Sequence, residues 1–331
     1  MVEPTQTAPA PVGHEQYDQF VAASPQGSPF ATSWWLDAVA GPGKWAPHQL
    51  LETGEIVAAW PTITRRSRFG DVHVGAPLTP YLGPLFTSID DAGKRRSNEL
   101  ARLEELLAAL TPYAHLEARC HPAFDYWTPL HWRGFTQTTH YTWQLRNLSD
   151  PDAVFANMRD SARRQVRKAQ KLGLQVEAGT IDDFLPLHQA TFDRQELGDR
   201  APTPALIRRV AAAAEAQGAS TILVARDPEG RAHSASLFLH DERCTWYLMG
   251  GSDTELRASG SASLVMWTAI QQAAARNQVF DFEGSMLQHV ERFVRGFGGE
   301  PTPYSIVHST PSRGFRVQRA VKRTLRRART Q

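Results

Sequence analysis

Phe155, Met158, Ala162, Val166, Ala169 and Leu172 place an apolar residue at every third or fourth position, the period of one helix face. Asp150-Pro151 reads as an N-cap followed by proline at the first helical position, and Gly173 as the residue just past the end. A single helix over 150–173 is the expectation. The same patterning predicts helices at 33–39, 98–110, 181–194, 203–217, 262–276 and 315–329. Short β-branched or alternating runs predict strands at 55–60, 71–74, 114–118, 141–145, 174–177, 221–225, 233–239, 244–249, 279–283 and 304–307. Residues 79–84 are too proline-rich for a central strand and read as a loop or edge.

This order repeats. His131-Trp132-Arg133-Gly134-Phe135 matches Phe293-Val294-Arg295-Gly296-Phe297 at an offset of 162 residues. A helix and then a strand precede each copy, and a strand follows it. Similarity at half the chain length suggests a duplicated α/β domain, and 331 residues are enough for two. The expected plan is a short leader over 1–13, a first domain over 14–146, a basic connector helix over 147–173, a second domain over 174–310 and a basic tail over 311–331.

Charge changes the picture locally. The net charge is +2, yet residues 159–171 carry +5 and residues 311–331 carry +8. The rest of the chain is therefore acidic, and the two basic segments stand out as local anion-binding surfaces. On the connector, Arg159, Arg163, Arg164, Arg167, Lys168 and Lys171 lie opposite the apolar stripe. They are either a solvated face or an anion site. In the tail, Val317, Val321, Leu325 and Ala328 form a stripe among arginines. It fits an anionic membrane face, RNA phosphate or plain solvation. No apolar run approaches the ~20 residues that span a bilayer, and the leader lacks the features of a signal peptide. Cys120 and Cys244 lie far apart with no metal-ligand spacing, so no metal is expected and a cytoplasmic location, with peripheral membrane contact through the tail, is the expectation.

Arg257-Ala258-Ser259-Gly260-Ser261-Ala262 opens the long helix at 262–276. An Arg-x-x-Gly-x-Ala turn at a helix N-terminus suits an anionic acyl donor, because free N–H groups and the helix dipole favour phosphate. The first half has Asp90-Asp91-Ala92-Gly93-Lys94-Arg95-Arg96 at this place and reads as support for an acceptor site. Asp281 and Glu283 alternate with Phe280 and Phe282, so both carboxylates face one side of a strand. Each is a candidate general base or a structural carboxylate. Glu283 is the better candidate, being nearer the strand's C-terminal end, where ligands of open α/β sheets gather. His289 and Tyr304 are weaker candidates for proton transfer.

The block 220–308 resembles the C-terminal half of the GNAT superfamily. Phe280-Asp281-Phe282-Glu283-Gly284-Ser285, Arg295-Gly296-Phe297-Gly298-Gly299 and Tyr304 resemble its Fem-like branch: the FemABX peptidoglycan aminoacyltransferases and BioF2-like acetyltransferase domain proteins. The resemblance implies tandem GNAT-like domains, each a mixed sheet flanked by helices, and acyl transfer to an amine. It implies two parted strands that polarise the donor carbonyl with main-chain amides, the first ending at Met249-Gly250-Gly251. It implies Arg257, Gly260, Ser261, Ala262 and Gly250 on the donor side. Arg163, Arg164, Arg167, Lys168 and Arg295 would meet phosphates of the acceptor or another anion. Val294 stands where the Fem peptidyltransferases carry a lysine facing the substrate channel. The donor implied first is aminoacyl-tRNA, with a peptidoglycan precursor or small peptide as acceptor and no tightly bound cofactor. An acyl-CoA N-acetyltransferase is the alternative, and a non-catalytic protein binding nucleic acid or membrane is a third reading.

Overall fold

The computed structural model describes residues 13–195, 202–283, 286 and 288–328. Residues 1–12 of the expected leader over 1–13 and the Gly284-Ser285 turn lie outside them, as does the side chain of His289. The chain folds as two units. The first holds residues up to Thr139 together with residues from Tyr304 onward, and the second holds His140–Pro303.

In chain order the first unit comprises α1 (His14–Ala23), α2 (Ser33–Ala40), β1 (Trp45–Ala46), β2 (Gln49–Glu52), β3 (Glu55–Ala59), β4 (Thr62–Ser67), β5 (Gly70–Val74), β6 (Leu85–Phe86), α3 (Ala92–Leu110), β7 (His115–Arg119), α4 (Thr128–Trp132) and the start of β8 (Thr136–Leu145). The second comprises the rest of β8, then α5 (Pro151–Asn157), α6 (Asp160–Lys171), β9 (Gln175–Ala178), α7 (Ile181–Arg194), α8 (Pro204–Ala216), β10 (Ser220–Arg226), β11 (Ala232–His240), β12 (Cys244–Ser252), α9 (Ser261–Ala275), β13 (Val279–Asp281), α10 (Gln288–Val294) and the start of β14 (Glu300–Ser309). The end of β14 and α11 (Arg313–Ala328) return to the first unit.

The two units repeat one pattern of strand pairing. In the first unit β4 pairs antiparallel with β5, β5 parallel with β7, and β7 antiparallel with β14. In the second, β11 pairs antiparallel with β12, β12 parallel with β13, and β13 antiparallel with β8. Strand order and direction thus follow the duplication seen in the Arg-Gly-Phe repeat. The strand after each Arg-Gly-Phe begins in one unit and ends in the other, the units dividing at 139 and 303, where the sequence pattern suggested 146 and 310.

Local chemistry explains most element ends. Asp91 caps α3 by accepting from the N–H groups of Gly93 and Lys94 at 3.0 Å. The helix therefore starts before the apolar periodicity does, six residues ahead of the expected Asn98. Thr180 and Asp183 form a capping box on α7. The connector is two helices, not one. Met158 and Arg159 are extended, and the Arg159 N–H bonds to the Gly296 carbonyl at 2.9 Å, so a tertiary bond replaces the helical one at that point. Leu172 is 50% exposed and leaves the apolar stripe. The core of the second unit gathers that stripe with α9, whose Leu264, Val265, Met266, Trp267 and Ile270 are all buried, and with Phe280, Phe282 and Phe297.

Buried histidines set an acid limit on stability. His188 in α7 and His115 in β7 are buried, and burial lowers both to about 4 from 6.5; Arg319 and His308 add to the effect at His115. The folded chain holds them neutral while the unfolded chain protonates them. Their contribution is complete above about pH 6.5 and is lost as pH falls towards 4. Unfolding midpoints in urea are expected to drop steeply across that window, and less so for His188→Gln. An unchanged pH slope in that variant would show that His188 is not held neutral.

Candidate functional site

Strands β12 and β13 pair over only three positions, Cys244↔Val279, Thr245↔Phe280 and Trp246↔Asp281. Beyond them the strands part. Phe282 turns its N–H to the Trp143 carbonyl of β8 at 2.9 Å. On the other side, β12 carries a bulge: Tyr247 opposes Phe238 and Met249 opposes Leu237, which leaves Leu248 over. A bulge re-aims the backbone where a ladder ends. From Leu248 to Gly250 the edge of β12 that faced β13 has no strand partner among the described residues.

The side chains at this opening come from β11, β12 and the end of β13. A Cβ at Gly250 would overlap the Tyr247 hydroxyl and stand 3.0 Å from Ser236 Oγ, so Gly250 leaves room for both. Burial, with the Glu283 carboxylate next, pushes the Tyr247 phenol up to about 12, and Ser236 hydrogen-bonds to it. The phenol therefore stays protonated at any working pH. Glu283 is half-buried and takes a left-handed backbone, φ 55°. Neither Tyr247 nor Ser236 was evident from sequence. The available signal was a polar residue inside the strand His233–Leu239, a buried β-strand that is otherwise mostly apolar.

Asp281 belongs to the scaffold. It is buried, and its carboxylate accepts from Thr142 Oγ1, from Gln144 Nε2 at 2.7 Å and from the Glu283 N–H at 2.7 Å. Those three donors match the structural-carboxylate reading of Asp281, set beside general base in the sequence. Tyr304 lies in the first unit, edge-on to Tyr81 with ring centroids 5.3 Å apart.

The Arg257–Ala262 turn packs against helix α6. Gly260 has φ 86° and its Cβ position falls on the Gln165 carbonyl oxygen of α6. Gly260 and Ser261 are buried, Ala262 is partly so, and Arg257 is exposed. Lys168 Nζ donates to the Ala258 carbonyl at 2.5 Å. A relay beneath the turn anchors it: Ser259 Oγ lies 2.9 Å from His233 Nδ1, and His233 Nε2 lies 3.0 Å from Asp227 Oδ2. Hydrogen bonds from His233 and Arg231 hold the Asp227 carboxyl well below its ordinary value, outweighing a larger burial effect in the opposite direction.

The cations of α6 sort into two groups. Arg163 is engaged by Asp160 and the Ala156 carbonyl, and Lys168 by Ala258. Arg295 pairs with Glu291 at 3.0 Å. These three are committed within the protein. Arg164, Arg167 and Lys171 are exposed and line an open groove of about 510 Å³ with Gln165, Lys168 and Leu172. Arg167 also lies over the Phe155 ring, 5.5 Å from its centroid. No acid lines the groove. Among the described residues, no group of His, Cys, Asp and Glu is arranged to hold a metal ion, and no helix is long and apolar enough to cross a membrane.

Comparison with known proteins agrees with this geometry. Residues 156–289 match the acetyltransferase (GNAT) domain family. A search of curated proteins finds no match to the sequence. The fold is similar to the crystal structure of FemX, with a TM-score of 0.70 at 13% identity, covering 89% of this chain and 96% of that one. It is similar to L-PGS from Bacillus licheniformis, with a TM-score of 0.55 at 10% identity over 90% of this chain and 92% of that one. It is also similar to the C-terminal domain of a putative lysylphosphatidylglycerol synthetase from Agrobacterium fabrum, with a TM-score of 0.54 at 12% identity over 89% and 90%.

Proposed function

We propose that this chain, a Fem-like GNAT-fold protein with an acyltransferase domain in its second unit, moves an aminoacyl group from aminoacyl-tRNA onto a primary amine. The acceptor is a peptidoglycan precursor or small peptide. The observation that carries the reading is the opening between β12 and β13, with Gly250, Tyr247 and Glu283 around it. The donor's ester carbonyl sits against the unpaired edge of β12, whose amides take the charge of the tetrahedral oxygen. The amine nitrogen attacks the carbonyl carbon, Glu283 takes the amine proton, and the bond to the ribose oxygen breaks. Tyr247 is placed to protonate that leaving oxygen.

Two features favour tRNA over coenzyme A. Helix α6 lies against Gly260, and Lys168 is held on the Ala258 carbonyl of the turn that would take a pyrophosphate. The same helix offers Arg164, Arg167 and Lys171 to a polyanion. The acetyltransferase family match supports acyl-CoA as the second reading, with Arg257, Gly260 and Ala262 at the donor.

Binding of charged tRNA is expected to weaken steeply with salt. Neutralising Arg164, Arg167 and Lys171 together should weaken it about 10- to 100-fold at low salt and lower the salt slope by about two to three, as loss of phosphate contacts does. Acetyl-CoA should leave the melting temperature unchanged. A rise with acetyl-CoA, together with tRNA binding indifferent to the triple variant, would replace this reading by the second.

A further inference from the structure

The tail helix α11 is pinned to the first unit by one side only. Phe315 stacks on His115, with centroids 5.5 Å apart and planes at 23°, and meets Phe69 edge-on at 6.3 Å. One turn further, Arg319 Nη1 reaches His115 Nε2 at 2.5 Å. His115 Nδ1 faces the Ser309 carbonyl at 3.1 Å and Thr310 Oγ1 at 2.8 Å, so a proton on Nδ1 would leave the Nε2 lone pair to accept from the arginine. Glu117 Oε2 lies 4.0 Å from the same ring nitrogen, and the His308 ring is 6.3 Å away.

Phe315 and Arg319 are four residues apart and occupy one arc of the helix. Val317 and Val321 are also four apart, and at ~100° per residue their arc lies roughly opposite. The structure leaves them 65% and 53% exposed. Docking has thus spent the aromatic and one arginine on the protein and turned the apolar stripe outward. The same described part of the helix exposes Arg313, Arg316 and Lys322, and the segment 311–331 holds no acid.

We propose that this outward face of α11 seats the protein on an anionic lipid surface. Val317 and Val321 enter the boundary between headgroups and acyl chains, and the flanking cations meet lipid phosphates. Charge alone would serve an RNA equally well, but RNA phosphate gives no use to two exposed valines on one stripe. The face also needs no rearrangement, because Phe315 and Arg319 already hold the helix with that side free. The inference stands apart from the choice of acyl donor.

The test is flotation of the full-length protein with vesicles. Binding to mixed phosphatidylglycerol and phosphatidylcholine vesicles, weak or absent binding to phosphatidylcholine alone, and loss at high salt are expected. Val317→Asp with Val321→Asp should lower binding to the anionic vesicles about tenfold or more while leaving the melting temperature and circular dichroism unchanged, since both positions are exposed. Phe315→Ala should lower binding too, by freeing the helix from its seat. Vesicle binding that ignores the two valine changes overturns the proposal. So does tighter binding to single-stranded RNA than to anionic vesicles.

Discussion

Glu283→Gln is expected to lower the rate of acyl transfer by about 10²- to 10⁴-fold, the range lost when a positioned proton acceptor is removed. The two groups are nearly the same size, and Glu283 lies at the edge of the opening, so the melting temperature should hold. The geometry that singles it out is the contrast with its neighbour two residues back. Asp281 accepts from Thr142, Gln144 and the Glu283 N–H, whereas Glu283 adds its charge to the burial that raises the Tyr247 phenol. A single-turnover measurement on a nucleophilic amine acceptor across pH gives the clearest reading. Wild type should show an acid limb that Glu283→Gln lacks. No alkaline limb from Tyr247 is expected within the working range, because that phenol ionises only near pH 12. Equal rates in variant and wild type would remove Glu283 as the base and leave a water path to the amine in its place.

Asp281→Ala is expected to be the most damaging change to the fold near the site, costing about 3–5 kcal/mol as the breaking of a buried charged network does. It would leave the Thr142 hydroxyl, the Gln144 amide and the Glu283 N–H without their acceptor in a position only 1% exposed. Thermal unfolding should fall by about 10 °C, since each kcal/mol moves a unit of this size by roughly 2–4 °C. Activity should fall as well, because the Asp281 carboxylate fixes the backbone of Glu283. Asp281→Asn is the milder probe. Its amide nitrogen would face a donor, and pairing it with Gln144→Glu should restore much of the stability by exchanging donor and acceptor. If the double variant recovers nothing and Asp281→Asn alone is neutral, the network is not what holds this end of β13.

Much of the fold was readable from local pattern. The strands β10 to β12, the helices α7 to α9 and the tail helix follow from periodicity and from caps such as Thr180 and Thr203, since these depend on neighbours within a turn or a strand. The repeat of Arg-Gly-Phe pointed to two equivalent strand orders, which the pairings of β5 with β7 and of β12 with β13 reproduce. Local pattern failed where a distant backbone group competed. The connector breaks because the Arg159 N–H finds the Gly296 carbonyl, and the unit boundary shifts because β8 and β14 each finish in the other unit's sheet.

The sequence by itself determined the element order of the second half, the turn at Gly260 and the presence of carboxylates at 281 and 283, but not that β13 ends at Asp281 and that Glu283, at φ 55°, leaves the strand's alternation. It could not determine which carboxylate is held by buried donors, because those donors come from β8, more than 130 residues earlier in the chain. It could not show that α6 lies against the Gly260 turn, that Arg163, Lys168 and Arg295 pair within the protein, or that Arg164, Arg167 and Lys171 line one groove. Charge and spacing are properties of residues along a chain. Whether a charge meets solvent, a carbonyl or another charge is decided only when separate segments pack together, and that packing is what distinguishes a site from a scaffold here.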